Sequence, residues 1–201
     1  MVNLPALLVL TDRRQSRRPL PETVAAAVSG GARVVVLREK DLPDTEREAL
    51  AARLWHTLAP VGGLLIAASR PVAPAVGLHL AATDPPTRAG IVGRSCHDLS
   101  EVDRATAERA DYLTVSPVFP TASKPGYGPP LGLDGLAALC RRTTVGVYAL
   151  GGVTAGTVAA CRSVGAAGVA VMGQVMRADD PARTVADILR CVEMADTGGG
   201  R

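Results

Sequence analysis

Val147-Tyr148-Ala149-Leu150-Gly151-Gly152-Val153 and, further on, Gly168-Val169-Ala170-Val171-Met172-Gly173 each run an apolar strand directly into glycine. An anion held by main-chain amides needs the backbone close to it, and glycine has no Cβ to keep it away. Two such turns, following the last two strands of a parallel barrel with helix N-termini behind them, form a cradle for a phosphate group. Glycine after a buried strand also makes plain turns. The order of elements upstream favours the cradle.

Working outward, short apolar runs alternate with longer Ala- and Arg-rich segments, the pattern of βα units around a parallel sheet. Strands are predicted over 6–10, 33–37, 63–67, 76–80, 90–94, 112–115, 145–150 and 168–172. Several are continuous in Val, Leu and Ile, as expected when both faces are covered. Helices are predicted over 21–29, 44–58, 100–109, 132–141, 154–164 and 181–195, several opening on Ser, Thr, Asp or Pro. The connection after the third strand carries Pro71 and Pro74, and the one after the fourth carries Pro85-Pro86. Neither has room for a normal helix. The predicted fold is α/β, a compact (β/α)8 TIM barrel with degenerate third and fourth helices. Residues 1–195 form its single domain, and 196–201 form a frayed tail. The competing open, doubly wound sheet wants a glycine-rich turn after its first strand, and Thr11-Asp12-Arg13-Arg14 is not one.

Composition narrows the function. A chain of 201 residues with 47% hydrophobic content supports one well-cored domain. The net charge of +3 is small, and the only basic cluster is Arg13, Arg14, Arg17 and Arg18, which either meets an anion at the barrel mouth or is simply solvated. One Phe, one Trp and three Tyr are too few stacking platforms for a nucleic-acid binder. Cys96, Cys140, Cys161 and Cys191 form no C-x-x-C, so neither a zinc knuckle nor a redox pair is suggested, and reduced thiols in the cytoplasm are expected. No leader-like segment and no apolar run of roughly 20 residues is present, so a soluble protein without a membrane partner is expected.

In such a barrel the working residues sit where strands end. The sequence puts there Thr11 and Asp12; Arg38, Glu39 and Lys40; His79 and Asp84; Ser95, Cys96 and His97; and the loop 116–128. In that loop the hydroxyls of Thr121 and Ser123 with the charge of Lys124 suit phosphate or diphosphate oxygens. Arg38 and Lys40, two apart, point the same way and face an anion, or else one of them pairs with Glu39. His97 presents an imidazole able to take and return a proton, or is structural. Cys96 reads as a buried filler and His79 as a satisfied core histidine.

Val36-Leu37-Arg38-Glu39-Lys40, Gly77-Leu78-His79-Leu80, Gly93-Arg94-Ser95-Cys96-His97, Ala110-Asp111-Tyr112 and the segments 116–124, 149–153 and 167–172 together resemble the thiamin phosphate synthase/TenI family. The resemblance runs over nearly the whole chain in one order. It implies a barrel enzyme that binds a thiazole phosphate, with a homodimer as the suggested assembly. In the synthase branch a pyrimidine diphosphate ionises with loss of magnesium pyrophosphate, and the thiazole nitrogen captures the cation. Carried over by position, Arg38, Lys40, Thr121, Ser123 and Lys124 hold the diphosphate, with Lys124 also a catalytic candidate. Gly151, Gly152, Met172 and Gly173 hold the thiazole phosphate. The family's Mg2+ site usually has an Asn-Asp pair after the third strand, and here Ala68-Ser69 stands in its place, leaving Asp84. Val36 replaces the glutamine expected two positions before Arg38, and Ala81-Ala82 lies where Gly-Gln is common. In the tautomerase branch no metal is needed, and a histidine at the position of His97 moves the proton. Retained His97 and lost metal ligands favour a metal-independent thiazole tautomerase, with the synthase and a non-catalytic binder of thiamin intermediates as alternatives.

Overall fold

Eight parallel strands close on themselves in sequence order in the computed structural model, which describes residues 4–88, 90–121 and 129–198. The elements are β1 (Leu7–Leu10), α1 (Leu20–Ser29), β2 (Val34–Leu37), α2 (Asp44–Leu58), β3 (Leu64–Ala68), β4 (Gly77–Leu80), β5 (Ile91–Cys96), α3 (Leu99–Ala107), β6 (Tyr112–Val115), α4 (Gly132–Arg142), β7 (Gly146–Leu150), α5 (Ala155–Ser163), β8 (Gly168–Val171), a short α6 (Gly173–Met176) and α7 (Pro181–Gly198). All eight expected strands are present. β5 runs two residues past its expected end because Ser95 and Cys96 continue the ladder opposite Thr114 and Val115.

Alternation along the strands sorts the side chains into two cores. Leu7, Val9, Val35, Leu37, Leu65 and Ala67 face the helices, while Leu8, Leu10, Val34, Val36, Ile66 and Ala68 fill the barrel interior. Tyr112 and Tyr148 meet edge to face in that interior, with ring centroids 5.8 Å apart. Their bulk is matched by glycine. A Cβ on Gly93 would lie 2.0 Å from Tyr112 Cζ, and one on Gly168 would lie 2.6 Å from Tyr148 Cε1. Tyr148 donates from its hydroxyl to the carbonyls of Leu4 and Pro5, closing the barrel floor.

The connections after β3 and β4 hold no helix among the described residues, as the prolines predict. Their main-chain carbonyls still need donors. Two buried arginines supply them. Arg47 of α2 donates to the carbonyls of Ala68 and Arg70 at 3.0 and 3.1 Å. Arg94 of β5 points outward and donates to the carbonyls of Ala81 and Asp84 at 2.9 and 2.7 Å, while an ion pair of 2.7 Å ties it to Glu108 just beyond α3. The planar guanidinium fork reaches several acceptors at once, which a lysine cannot do.

The last helix runs three residues past its expected end at 195, and residues 199–201 lie outside the described residues. Residues 196–198 continue α7 rather than fraying, and Asp196 is gripped by Arg162 of α5, whose Nε donates to it at 3.1 Å. α5 and α7 pack along their lengths, so the chain end has a partner.

A methyl group added at Gly93 has no space beside the Tyr112 ring. Gly93→Ala is expected to lower unfolding stability by about 1–3 kcal/mol, the usual cost of overpacking. Urea denaturation reads this as a lower midpoint at unchanged slope, and an unmoved midpoint would show that the ring yields freely.

Candidate active site

The C-terminal ends of the strands surround a cavity of about 460 Å³. Its described lining contains Arg38, Lys40 and Arg177 and no Asp or Glu. Such a chamber attracts anions.

Strand β2 sets the first wall by alternation. Arg38 and Lys40 continue the inward parity of Val34 and Val36, and both line the cavity. Glu39 points the other way and is 3% exposed. Its two oxygens accept from the Thr11 hydroxyl at 2.5 Å and from the Arg13 amide at 2.8 Å, so it braces the β1–α1 loop. Arg38 is fixed at both ends. Its amide donates to Thr11 Oγ1 at 2.9 Å, and its Nη1 donates to Met172 Sδ at 2.6 Å and to the Thr11 carbonyl at 3.3 Å. Of the four clustered arginines, Arg13 and Arg14 pair with Asp41, and Arg17 pairs with Asp179. They tie loops together and do not line the cavity.

The glycine turn after β7 makes the opposite wall. Gly151 and Gly152 have φ of 91° and 66°, a region that side chains disfavour. They are also crowded from outside: a Cβ on Gly151 would lie 2.8 Å from Pro117 Cα, and one on Gly152 would lie 2.4 Å from the Pro120 carbonyl oxygen. Glycine here therefore lets the loop after β6 lie against the turn. Val118 and Phe119 donate their amides to the carbonyls of Leu150 and Gly151 at 2.9 and 3.0 Å, fastening the two together. Both glycines, Thr121, Met172 and Gly173 line the cavity. Ser123 and Lys124 lie outside the described residues.

Histidines occupy the floor and the rim. His79 is buried, with Nδ1 hydrogen-bonded to Tyr112 Oη at 3.0 Å and Nε2 to Ser95 Oγ at 2.9 Å. Burial pushes its pKa down to about 3, helped by the charges of Lys40 and Arg38, so the ring is neutral. It is the satisfied core histidine that the sequence suggests, and it also forms the cavity floor. His97 lines the rim. Its Nδ1 lies 2.8 Å from Glu101 Oε2, and the same oxygen accepts the His97 amide at 2.7 Å. A carboxylate on Nδ1 fixes the proton there and makes Nε2 the basic nitrogen. Cys96 is fully buried, and burial pushes its thiol up to about 12, which removes it as a nucleophile.

A sequence model of the family described as thiamine monophosphate synthase matches residues 7–175. The chain belongs to this family. It is 35% identical over 189 residues to a putative thiamine-phosphate synthase of Geobacter sulfurreducens, covering 88% of this chain and 89% of that one. To the thiamine-phosphate synthase of Roseiflexus sp. it is 37% identical over 186 residues, 86% and 79% of the two chains. The solved thiamine phosphate pyrophosphorylase of Pyrococcus furiosus matches with a TM-score of 0.85 at 28% identity, over 94% of this chain and 96% of that one.

The family resemblance implies a divalent ion beside the end of β3, where Ser69 and Asp84 are the oxygen donors present. Asp84 does not line the cavity; one of its oxygens accepts the Ala81 amide at 2.7 Å. Burial would raise its pKa, but the Ser69 hydroxyl, the Ala81 amide and the charges of Lys40 and Arg94 bring it below the usual range. The Ser69 hydroxyl is buried beside it without a well-formed hydrogen bond, on a residue with φ of 61°. Among the described residues no three His, Cys, Asp or Glu side chains cluster. One carboxylate and one hydroxyl do not cage a metal, but they fit Mg2+ that arrives on a diphosphate and keeps its waters.

Sequence reasoning missed Arg177, Gln174 and Thr154, which also line the cavity. Each lies within the first turns after a glycine motif, beyond the strand ends where candidates were sought.

The low pKa of His79 makes the fold sensitive to acid. Its folded value, about 3, lies below the ordinary 6.5, so the unfolded chain binds more protons between them and stability falls as pH drops through that window. His79→Gln is expected to flatten the stability profile between pH of about 4 and 6.5, measured by urea titration at each pH. An equally steep profile in the variant would assign the acid limb to other groups.

Proposed function

We propose that this enzyme joins a pyrimidine diphosphate to a thiazole phosphate, releasing pyrophosphate and forming thiamin phosphate. The observation that carries the reading is one cavity whose described lining holds Arg38, Lys40, Arg177 and two glycine turns and no acidic side chain. Arg38 and Lys40 come from the end of β2, where Arg38 reaches Met172 of the β8 turn, and the glycine turns after β7 and β8 line the same chamber. The names of the relatives support coupling over the proton transfer favoured from the sequence.

Arg38, pinned by Thr11 and Met172, offers its guanidinium to the diphosphate without having to reorganise. Lys40 adds a second charge at the mouth, and Thr121 adds a hydroxyl. Ser123 and Lys124 are assigned to the same group by their place in the loop. The bond from the pyrimidine methylene carbon to the diphosphate oxygen breaks with both electrons going to oxygen, and the thiazole nitrogen lone pair forms the new C–N bond. Positive charge left on the thiazolium balances the negative charge that departs. Mg2+ arriving on the diphosphate with its own waters would supply further neutralisation. Gly151, Gly152 and the Met172-Gly173 turn hold the thiazole by its phosphate, so that its nitrogen faces the methylene carbon.

His97 with Glu101 supports a second reading, proton transfer on a thiazole phosphate carboxylate, because a base with a fixed tautomer already stands at the rim. One set of assays separates the two. Purified enzyme given both substrates and Mg2+ is expected to form thiamin phosphate, and Arg38→Met is expected to lose about 10²–10³ in kcat. No thiamin phosphate from the wild type, with deuterium exchange into the thiazole carboxylate that vanishes in His97→Ala, would move the chain to the tautomerase branch.

A further inference from the structure

Arg177 is the third Arg or Lys in the cavity's described lining, and its position has a specific geometry. It follows α6, its amide donates to the Gly173 carbonyl at 3.0 Å, and its side chain folds back over that short helix. A Cβ on Gly173 would lie 2.3 and 2.5 Å from Arg177 Nη2 and Nη1. The guanidinium thus occupies the space where a side chain at 173 would sit. It is oriented from the β1–α1 loop: Nη1 donates to Gln15 Oε1, and Gln15 Nε2 donates to Asp12 Oδ2 at 2.6 Å. A neutral amide thus helps to orient the fork. Asp179, two residues on, pairs with Arg17 and lines only a smaller adjoining cavity of about 290 Å³, which Arg177 also borders.

We propose that Arg177 binds the phosphate of the thiazole substrate, and that residue 173 is glycine in order to seat that guanidinium. Main-chain amides at the two turns select an anion by shape, whereas the fork adds a permanent charge with two parallel donors, the arrangement that suits a phosphate dianion. Arg177 then sets the discrimination between phosphorylated and unphosphorylated thiazole. This rests on thiazole phosphate being the substrate, which both catalytic readings above share.

Direct binding tests the assignment independently of which reaction follows. In calorimetric titrations the wild type is expected to bind thiazole phosphate far more tightly than the unphosphorylated hydroxyethylthiazole. Arg177→Gln is expected to raise the Kd for the phosphate roughly 10- to 100-fold while leaving the alcohol unchanged. Arg177→Lys should recover part of the loss. Gly173→Ala, which keeps the charge but displaces the fork, should weaken phosphate binding in the same direction. If Arg177→Gln does not melt cooperatively, the lysine and alanine variants decide. Phosphate binding within about twofold of wild type in Arg177→Gln, or in both other variants, overturns the inference and leaves the proposed function standing. A wild type that does not distinguish phosphate from alcohol overturns both.

Discussion

A closed barrel of eight short strands has a fixed interior, and two tyrosine rings fill much of its lower half. Tyr112 and Tyr148 fit only because Gly93 and Gly168 stand beside them in register on the neighbouring strands. The edge-to-face contact and the tether from Tyr148 to residues 4 and 5 make that half solid. Above the rings, His79 caps Tyr112, and the space over His79 is the substrate cavity. The floor of the active site is therefore the top of a packed aromatic plug.

Charge is sorted by strand parity and by loop. On β2, one step of alternation sends Arg38 into the cavity and Glu39 into the wall, where it holds Thr11 and the Arg13 amide. At the rim, Glu101 turns toward His97 from α3. Carboxylates thus orient the site from outside it, and the cations face the substrates. With Ala68 and Ser69 at the end of β3, the fixed positive charge in this part of the cavity comes from the arginine and lysine at the end of β2.

Much of this was readable in the chain. Short apolar runs marked the eight strands, several of them continuous in Val, Leu and Ile, and pairs of prolines marked the two crossovers without helices, because both signals are local. The glycine turns were found, but one reason for them was not. Gly151 and Gly152 must also admit Pro117 and Pro120 from a loop some thirty positions earlier, a contact that no local pattern reports. Arg177 was invisible for a related reason: its cavity position depends on a short helix turning the chain back over Gly173. The helical path of residues 196–198 likewise depends on Arg162, distant in sequence.

The two crossovers without helices have a consequence for how the chain can drift over generations. A helix in those places would demand a periodic apolar stripe and a matching groove. Arg47 and Arg94 ask only that a few carbonyls stay within reach of their forks. Side chains at 71–76 and 85–88 are accordingly held to looser demands than those of a packed helix, whereas a lysine at 47 or 94, reaching fewer acceptors, would let the segment come loose.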